Sequence, residues 1–286
     1  MVGPIGIIGG SGIYELPGLK NIEEIKIETP FGQPSDVFIK GKLQGKDLVF
    51  LSRHGRGHRI PPSSINYRAN IYGMKKLGVR WLISVSAVGS MKEEIRPGDF
   101  VFPDQFIDLT KKRSQSFFDD GIVAHVGMAD PTCPILSKVL FDAAKSLEIP
   151  VHYKGTYVCI EGPQFSTRAE SHLYRQWGVD VIGMTNMPEV RLAREAEISY
   201  CTMALATDYD CWRGSEEEVD INSVLEIISK NIANAKKVLT LAVENLNFEG
   251  KRTCDEALKN AIITDPKTIS EKTRRNLELL IGPYLT

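Results

Sequence analysis

Residues 200–212 read YCTMALATDYDCW. The first part, Tyr200 to Thr207, is a run of small and apolar residues with no turn former in it. A short run of that kind is the pattern of a strand buried on both faces. It ends in two aspartates, Asp208 and Asp210, and Trp212 follows closely. On a continuing strand alternate side chains share a face, so the two carboxylates would stand about 6–7 Å apart on one side. Two carboxylates at the edge of an apolar core are costly unless something engages them.

Similar runs recur along the chain. Ile5 to Ile8, Arg80 to Ser86, Val151 to Ile160 and Val179 to Met184 read as strands, as do segments near 22–28, 36–41 and 47–52. Between them, Asn66 to Leu77, Pro134 to Leu147, Ser166 to Trp177, Pro188 to Ala196 and Val219 to Leu246 carry helical patterns, with two more helices expected over 253–282. Pro134 suits a first helical turn, and Ser166 and Thr167 suit an N-cap. Residues 108–121 are a polar loop. Strands alternating with helices predict an α/β fold, one mostly buried central sheet with helices on both faces. Residues 1–250 form the domain, and Glu249 to Arg252 set off a helical C-terminal extension over 251–286.

Composition narrows the function. The 286 residues carry a net charge of -1, so no global field favours nucleic acid or an anionic membrane. The N-terminus has no basic segment before its short apolar run, and no run reaches the 18 residues of a membrane span, which places the chain in the cytoplasm. The five cysteines form no CxxC pair and read as free thiols.

In open α/β sheets ligands gather where strands end. After Ile8 comes Gly9-Gly10-Ser11-Gly12, which lacks the third glycine of a dinucleotide fingerprint and the lysine of a P-loop. It is either a plain tight turn or a small anion nest of amides and the Ser11 hydroxyl. After residues 47–52 come Arg53 and His54, either a surface ion pair with a structural histidine or a cation offered to an oxyanion. His54 and His58 are four apart, but Gly55 and Gly57 argue against a helix, and no metal site is expected. Ser86 precedes Ala87-Val88-Gly89-Ser90, Phe165 follows Glu161-Gly162-Pro163, and Met184-Thr185 close another strand. Phe165 fits a core or a stacking role equally well. Their common position at strand ends describes an anion site, a flat apolar slot and an acid pair.

With those residues in view, the chain resembles the trimeric purine nucleoside phosphorylase superfamily from about residue 4 to about 246. The segments that carry the likeness are GIIGGSG (6–12), TPFGQPSD (29–36), SRHGRGHRIPPSSINYRAN (52–70), SAVGSMKEEIRPGDFV (86–101), QFIDLT (105–110), IEGPQFSTRAES (160–171), MTNMPEV (184–190) and ATDYDCW (206–212). The resemblance implies a distorted-barrel mixed sheet and phosphorolysis of 5'-methylthioadenosine to adenine and 5-methylthioribose-1-phosphate. It implies inorganic phosphate as co-substrate, no metal or organic cofactor, and a homotrimer or a dimer of trimers. By motif it implies a phosphate site of Ser11, Arg53, His54, Ser86, Ala87 and Thr185. It sets Phe165 and Met184 beside base and sugar, and Ile221, Val224, Leu225 and His58 around an apolar 5'-pocket. It implies that His125 is lent across the trimer interface.

The acid pair fits that chemistry. Breaking an N-glycosidic bond leaves negative charge on the purine, and a proton delivered to N7 stabilises it. A second carboxylate nearby, with burial, raises the pKa of one of the pair, so the pair can hold a proton. Asp208 is assigned to N7 and Asp210 to the 6-amino group. An ionised carboxylate accepts from a 6-amino group and repels a 6-oxo group, which favours adenine nucleosides. A 6-oxopurine phosphorylase, a water-using hydrolase and a non-catalytic adenine-nucleoside binder are the competing readings.

Overall fold

The computed structural model describes residues 3–10, 13, 15–213, 221–247, 252 and 254–285, with only the backbone of 221–224. The strands are β1 (Ile5–Gly9), β2 (Lys20–Ile25), β3 (Phe38–Leu43), β4 (Lys46–Ser52), β5 (Trp81–Ser90), β6 (Phe100–Phe102), β7 (Gln105–Asp108), β8 (Val151–Tyr153), β9 (Thr156–Cys159), β10 (Val181–Gly183) and β11 (Ser199–Asp208). The helices are α1 (Tyr67–Lys76), α2 (Pro134–Ser146), α3 (Arg168–Gln176), α4 (Asn186–Glu195), α5 (Ile221–Asn245) and α6 (Glu271–Ile281). All eleven strands join one mixed sheet.

The stretch at 200–207 forms the middle of β11, which is buried from Ser199 to Thr207. It runs parallel to β5 along almost its whole length, Ser199 opposite Trp81 and Ala206 opposite Val88. The other edge of β5 is divided. β1 pairs with it over Trp81–Ser84, and β10 pairs antiparallel with Gly89 and Ser90. Between those pairings Val85, Ser86, Ala87 and Val88 face a fork in the sheet. The fork curls the sheet and opens a cavity within it.

Two core clusters cover the faces. One joins β11 and β5 side chains such as Met203 and Ile83 to Leu140 of α2 and Leu239 of α5. The other joins α1 and α4 to Leu258, Leu277, Leu280 and Ile281 near the C-terminus. The C-terminal segment thus packs into the core of its own chain. It also pins residues 123–125: Ala124 bridges Ile262, and the His125 N–H donates to Ala261 O at 2.8 Å.

Several expected boundaries shift. Ala87 to Ser90 continue β5 beyond the expected end at Ser86. The strand expected over 151–160 breaks into β8 and β9 at Lys154 and Gly155, both at positive φ. Thr167, not Ser166, caps α3, in a capping box with Glu170. Among the described residues beyond 252 only one α-helix, α6, forms, and residues 254–261 are turns. All five cysteines are free thiols. No helix among the described residues is long and apolar enough to cross a membrane.

Candidate active site

A cavity of about 400 Å³ lies at the fork. β5 supplies its floor, from Val85 to Gly89, and the ends of β1, β4, β10 and β11 supply its walls. Of the residues expected at the site, Arg53, His54, His58, Ser86, Ala87, Phe165, Met184, Thr185, Asp208 and Asp210 all line it. Ser11 lies outside the described residues, as do the side chains of Ile221 and Val224. Leu225 is 57% exposed and away from the cavity, where Ile228, about one turn further along α5, takes its place. His125 is exposed and also lies away from the cavity of its own chain.

The anion end is built on β5 and the turn after β10. Ser86 Oγ and Thr185 Oγ1 are 3.1 Å apart, a hydroxyl pair facing the cavity. His54 Nδ1 lies 2.8 Å from the Ile60 carbonyl, which only accepts, so that nitrogen carries its proton and Nε2 keeps its lone pair. Burial first, then the charges of Arg53 and His58, pushes the His54 pKa down to about 4. The ring is therefore neutral at physiological pH, and it stacks on His58 at 4.2 Å.

Arg53 also carries a buried ion pair. It is only 2% exposed, and most of its guanidinium turns inward. Nε donates to Glu189 Oε2 at 2.8 Å and Nη2 to Glu189 Oε1 at 3.1 Å. Nη2 also reaches Ser84 Oγ at 2.6 Å, and Nη1 the Val85 carbonyl at 3.0 Å. The guanidinium fork is thus directed at Glu189. Burial opposes the Arg53 charge, but the Glu189 carboxylate more than offsets it and holds the guanidinium charged.

The acid end departs from simple strand alternation. A bulge falls between Ala206 and Asp208, where β11 ends. Asp210 is in a turn with φ +51°, and its N–H donates to Asp208 Oδ1 at 2.8 Å. The carboxylates are brought together by that turn, not by a shared strand face. Asp208 Oδ2 accepts from Thr207 Oγ1 at 2.7 Å, and Asp210 Oδ2 accepts from the fully buried Ser171 of α3. Burial, with the neighbouring Asp208 charge, raises the Asp210 pKa above its ordinary value. Gly89 makes the fit possible, since a Cβ there would lie 3.1 Å from Asp208 Oδ1 and 3.0 Å from Ile182.

Trp212 anchors this turn. Its indole N–H donates to Ser90 O at 2.7 Å, and the Arg175 guanidinium sits 3.5 Å over its ring. Phe165 is 84% exposed at the cavity mouth, open for a flat partner, and Met184 lines the same wall. Glu189, Ser84, Ser171 and Thr207 carry roles that sequence reasoning missed. The available signal was a polar residue inside an otherwise buried element, which must find a partner. Among the described residues no group of three or more histidines, cysteines or acids gathers as a metal site requires.

A forked mixed sheet with a hydroxyl pair and a carboxylate pair on one cavity marks an α/β protein with a polar small-molecule site. The chain belongs to the phosphorylase superfamily, whose sequence profile matches residues 4–244. It is 56% identical to the S-methyl-5'-thioadenosine phosphorylase of Geobacter sulfurreducens, over 98% of this chain and 99% of that one. It is 53% identical to the Saccharolobus solfataricus protein of the same name, over 91% and 97%. A methylthioadenosine phosphorylase from an Antarctic soil metagenome superposes with a TM-score of 0.94 at 51% identity, over 98% and 99%. The Schistosoma mansoni methylthioadenosine phosphorylase, solved with adenine, superposes at 0.81 with 35% identity, over 98% of both chains.

Proposed function

We propose that this chain catalyses phosphorolysis of 5'-methylthioadenosine. A phosphate oxygen attacks the anomeric carbon, the bond from that carbon to N9 breaks, and a proton reaches N7 of the departing purine. The products are adenine and 5-methylthioribose-1-phosphate. The observation that carries this reading is the shared floor: Ser86 of the hydroxyl pair and Gly89 under the acid pair stand on one strand of one cavity. The methylthioadenosine phosphorylases among its relatives supply the substrate.

Phosphate takes the end formed by Ser86, the Ala87 amide, Thr185, Arg53 and His54, with Ser11 joining it. Adenine takes the end formed by Asp208 and Asp210, with Phe165 against its plane. The pair acts as one unit with a single proton, Asp208 facing N7 and Asp210 the 6-amino group. Ile228 and His58, which line the cavity, shield the 5'-methylthio group, with Ile221 and Val224 of the same helix joining them. That apolar lining rejects a 5'-hydroxyl only moderately, so adenosine is a weaker substrate. The reaction needs no metal or organic cofactor. The enzyme works in the cytoplasm, in purine and methionine salvage, as a homotrimer or a dimer of trimers to which His125 contributes from a neighbour.

The test is adenine release from methylthioadenosine, with and without phosphate, against methylthioinosine at matched concentration. Release that depends on phosphate and runs at least about tenfold faster with the adenine nucleoside is expected, since a 6-oxo group leaves the carboxylate mispaired. Equal release without phosphate would exclude phosphorolysis.

A further inference from the structure

The carboxylate of Glu189 lies behind the phosphate end and is 1% exposed. It accepts from four donors: Arg53 Nε and Nη2, Ser84 Oγ at 2.6 Å, and Tyr200 Oη at 2.9 Å. Asn186 ties the same cluster together, donating to Ser84 Oγ, to Tyr200 Oη and to Thr202 Oγ1. These partners come from β5, β11 and α4, so three elements fix one guanidinium.

Hydrogen-bond accounting defines what remains for a ligand. A guanidinium has five N–H groups. Nε is taken by Glu189, and Nη2 meets Ser84, Glu189 and the Ile8 carbonyl. Nη1 donates to the Val85 carbonyl alone among the described residues, which leaves it a second N–H. Arg53 lines the cavity, so that N–H is what it can offer a phosphate oxygen.

We propose that Glu189 is a positioning residue for the phosphate subsite: it fixes Arg53 so that one Nη1 N–H, and not the bidentate fork, meets phosphate. This inference rests on the phosphorolytic reading above. It also assigns the Glu189 charge a cost, because a compensated guanidinium attracts a dianion less than a free one does. Positioning and charge therefore predict opposite results on removal of the carboxylate.

The decisive variant is Glu189→Gln, which keeps the shape but sets an amide N–H against Arg53. The expected result is a rise in the KM for phosphate of about tenfold, the loss of one charge-assisted hydrogen bond. The KM for methylthioadenosine and the kcat at saturating phosphate stay within about twofold, a split that general destabilisation does not produce. Glu189→Asp recovers part of the phosphate affinity. Ser84→Ala keeps the ion pair but removes one of the Nη2 acceptors, and raises the phosphate KM about threefold, as for one neutral hydrogen bond. If far-UV circular dichroism shows that Glu189→Gln does not fold, Ser84→Ala decides alone. A phosphate KM that is unchanged or lowered in the folded variant overturns the inference while leaving phosphorolysis intact. A wild-type rate independent of phosphate removes both.

Discussion

Burial, with the neighbouring Asp208 charge, raises the Asp210 carboxyl above its ordinary range. Its left-handed backbone is held by its own N–H on Asp208 and by Ser171. Asp210→Asn removes one carboxyl of the proton-sharing pair while keeping a Ser171 acceptor. Its kcat should fall by about 10²-fold or more, the worth of a positioned proton donor. Steady-state kinetics at saturating phosphate check this, and wild-type turnover would take Asp210 out of proton transfer. The identity of the acid pair was legible in the sequence, because two adjacent carboxylates cannot end a buried strand without a partner. How they meet was not legible. Strand alternation gave the right neighbours by the wrong route, since neither a bulge nor a positive φ at an aspartate shows in hydrophobic periodicity. Glu189 escaped for a related reason: its partner Arg53 lies 136 residues away.

At the scale of elements, the end of α4 holds the polar loop over 108–121. Glu195 accepts from Ser116 Oγ at 2.7 Å and from the Phe117 N–H at 2.8 Å. Burial pushes its pKa from 4.5 up to about 7. A carboxyl with a raised folded pKa binds more protons folded than unfolded. Its contribution to stability is complete below pH 4.5 and fades as pH rises through 7. His54 acts in the opposite sense, contributing above its ordinary 6.5 and losing that contribution as pH falls toward 4. Glu195→Gln mimics the protonated carboxyl. It should raise Tm by about 2–4 °C at pH 8 for each kcal/mol gained, and leave Tm at pH 5 unchanged. Thermal melts across that range measure the difference, and equal shifts at both pH values would contradict it. The long elements were readable from sequence: α1, α2, α5 and β11 lie within a few residues of expectation. The short strands β6 and β7 span three and four residues, too few to display a period. β8 and β9 looked like one strand because their apolar pattern runs straight through a glycine turn.

For the whole molecule, the C-terminal residues are integral. The sequence marked Leu277, Leu280 and Ile281 as apolar but could not say what they cover. They join the same core as Ile71 and Tyr72 of α1 and Val190 of α4. Removing residues 251–286 would expose that core and free residues 123–125. Truncation after residue 250 should yield protein that precipitates or melts well below the full chain. Soluble expression followed by a thermal melt tests this, and a truncated protein with an unchanged melt would contradict it.

The divided edge of β5 has one more consequence. Ser86 belongs to the hydroxyl pair and Gly89 underlies the acid pair, three residues further along the same strand. At about 3.3 Å per residue the two are set roughly 10 Å apart by the backbone itself. The strand is a molecular ruler, and its graduations come in pairs: one inserted residue between them lengthens the span and turns every later side chain to the opposite face. Loops around this cavity can lengthen or shorten without altering that spacing. The four residues from Ser86 to Gly89 have no such latitude, because their number sets the distance from the hydroxyl pair to the acid pair.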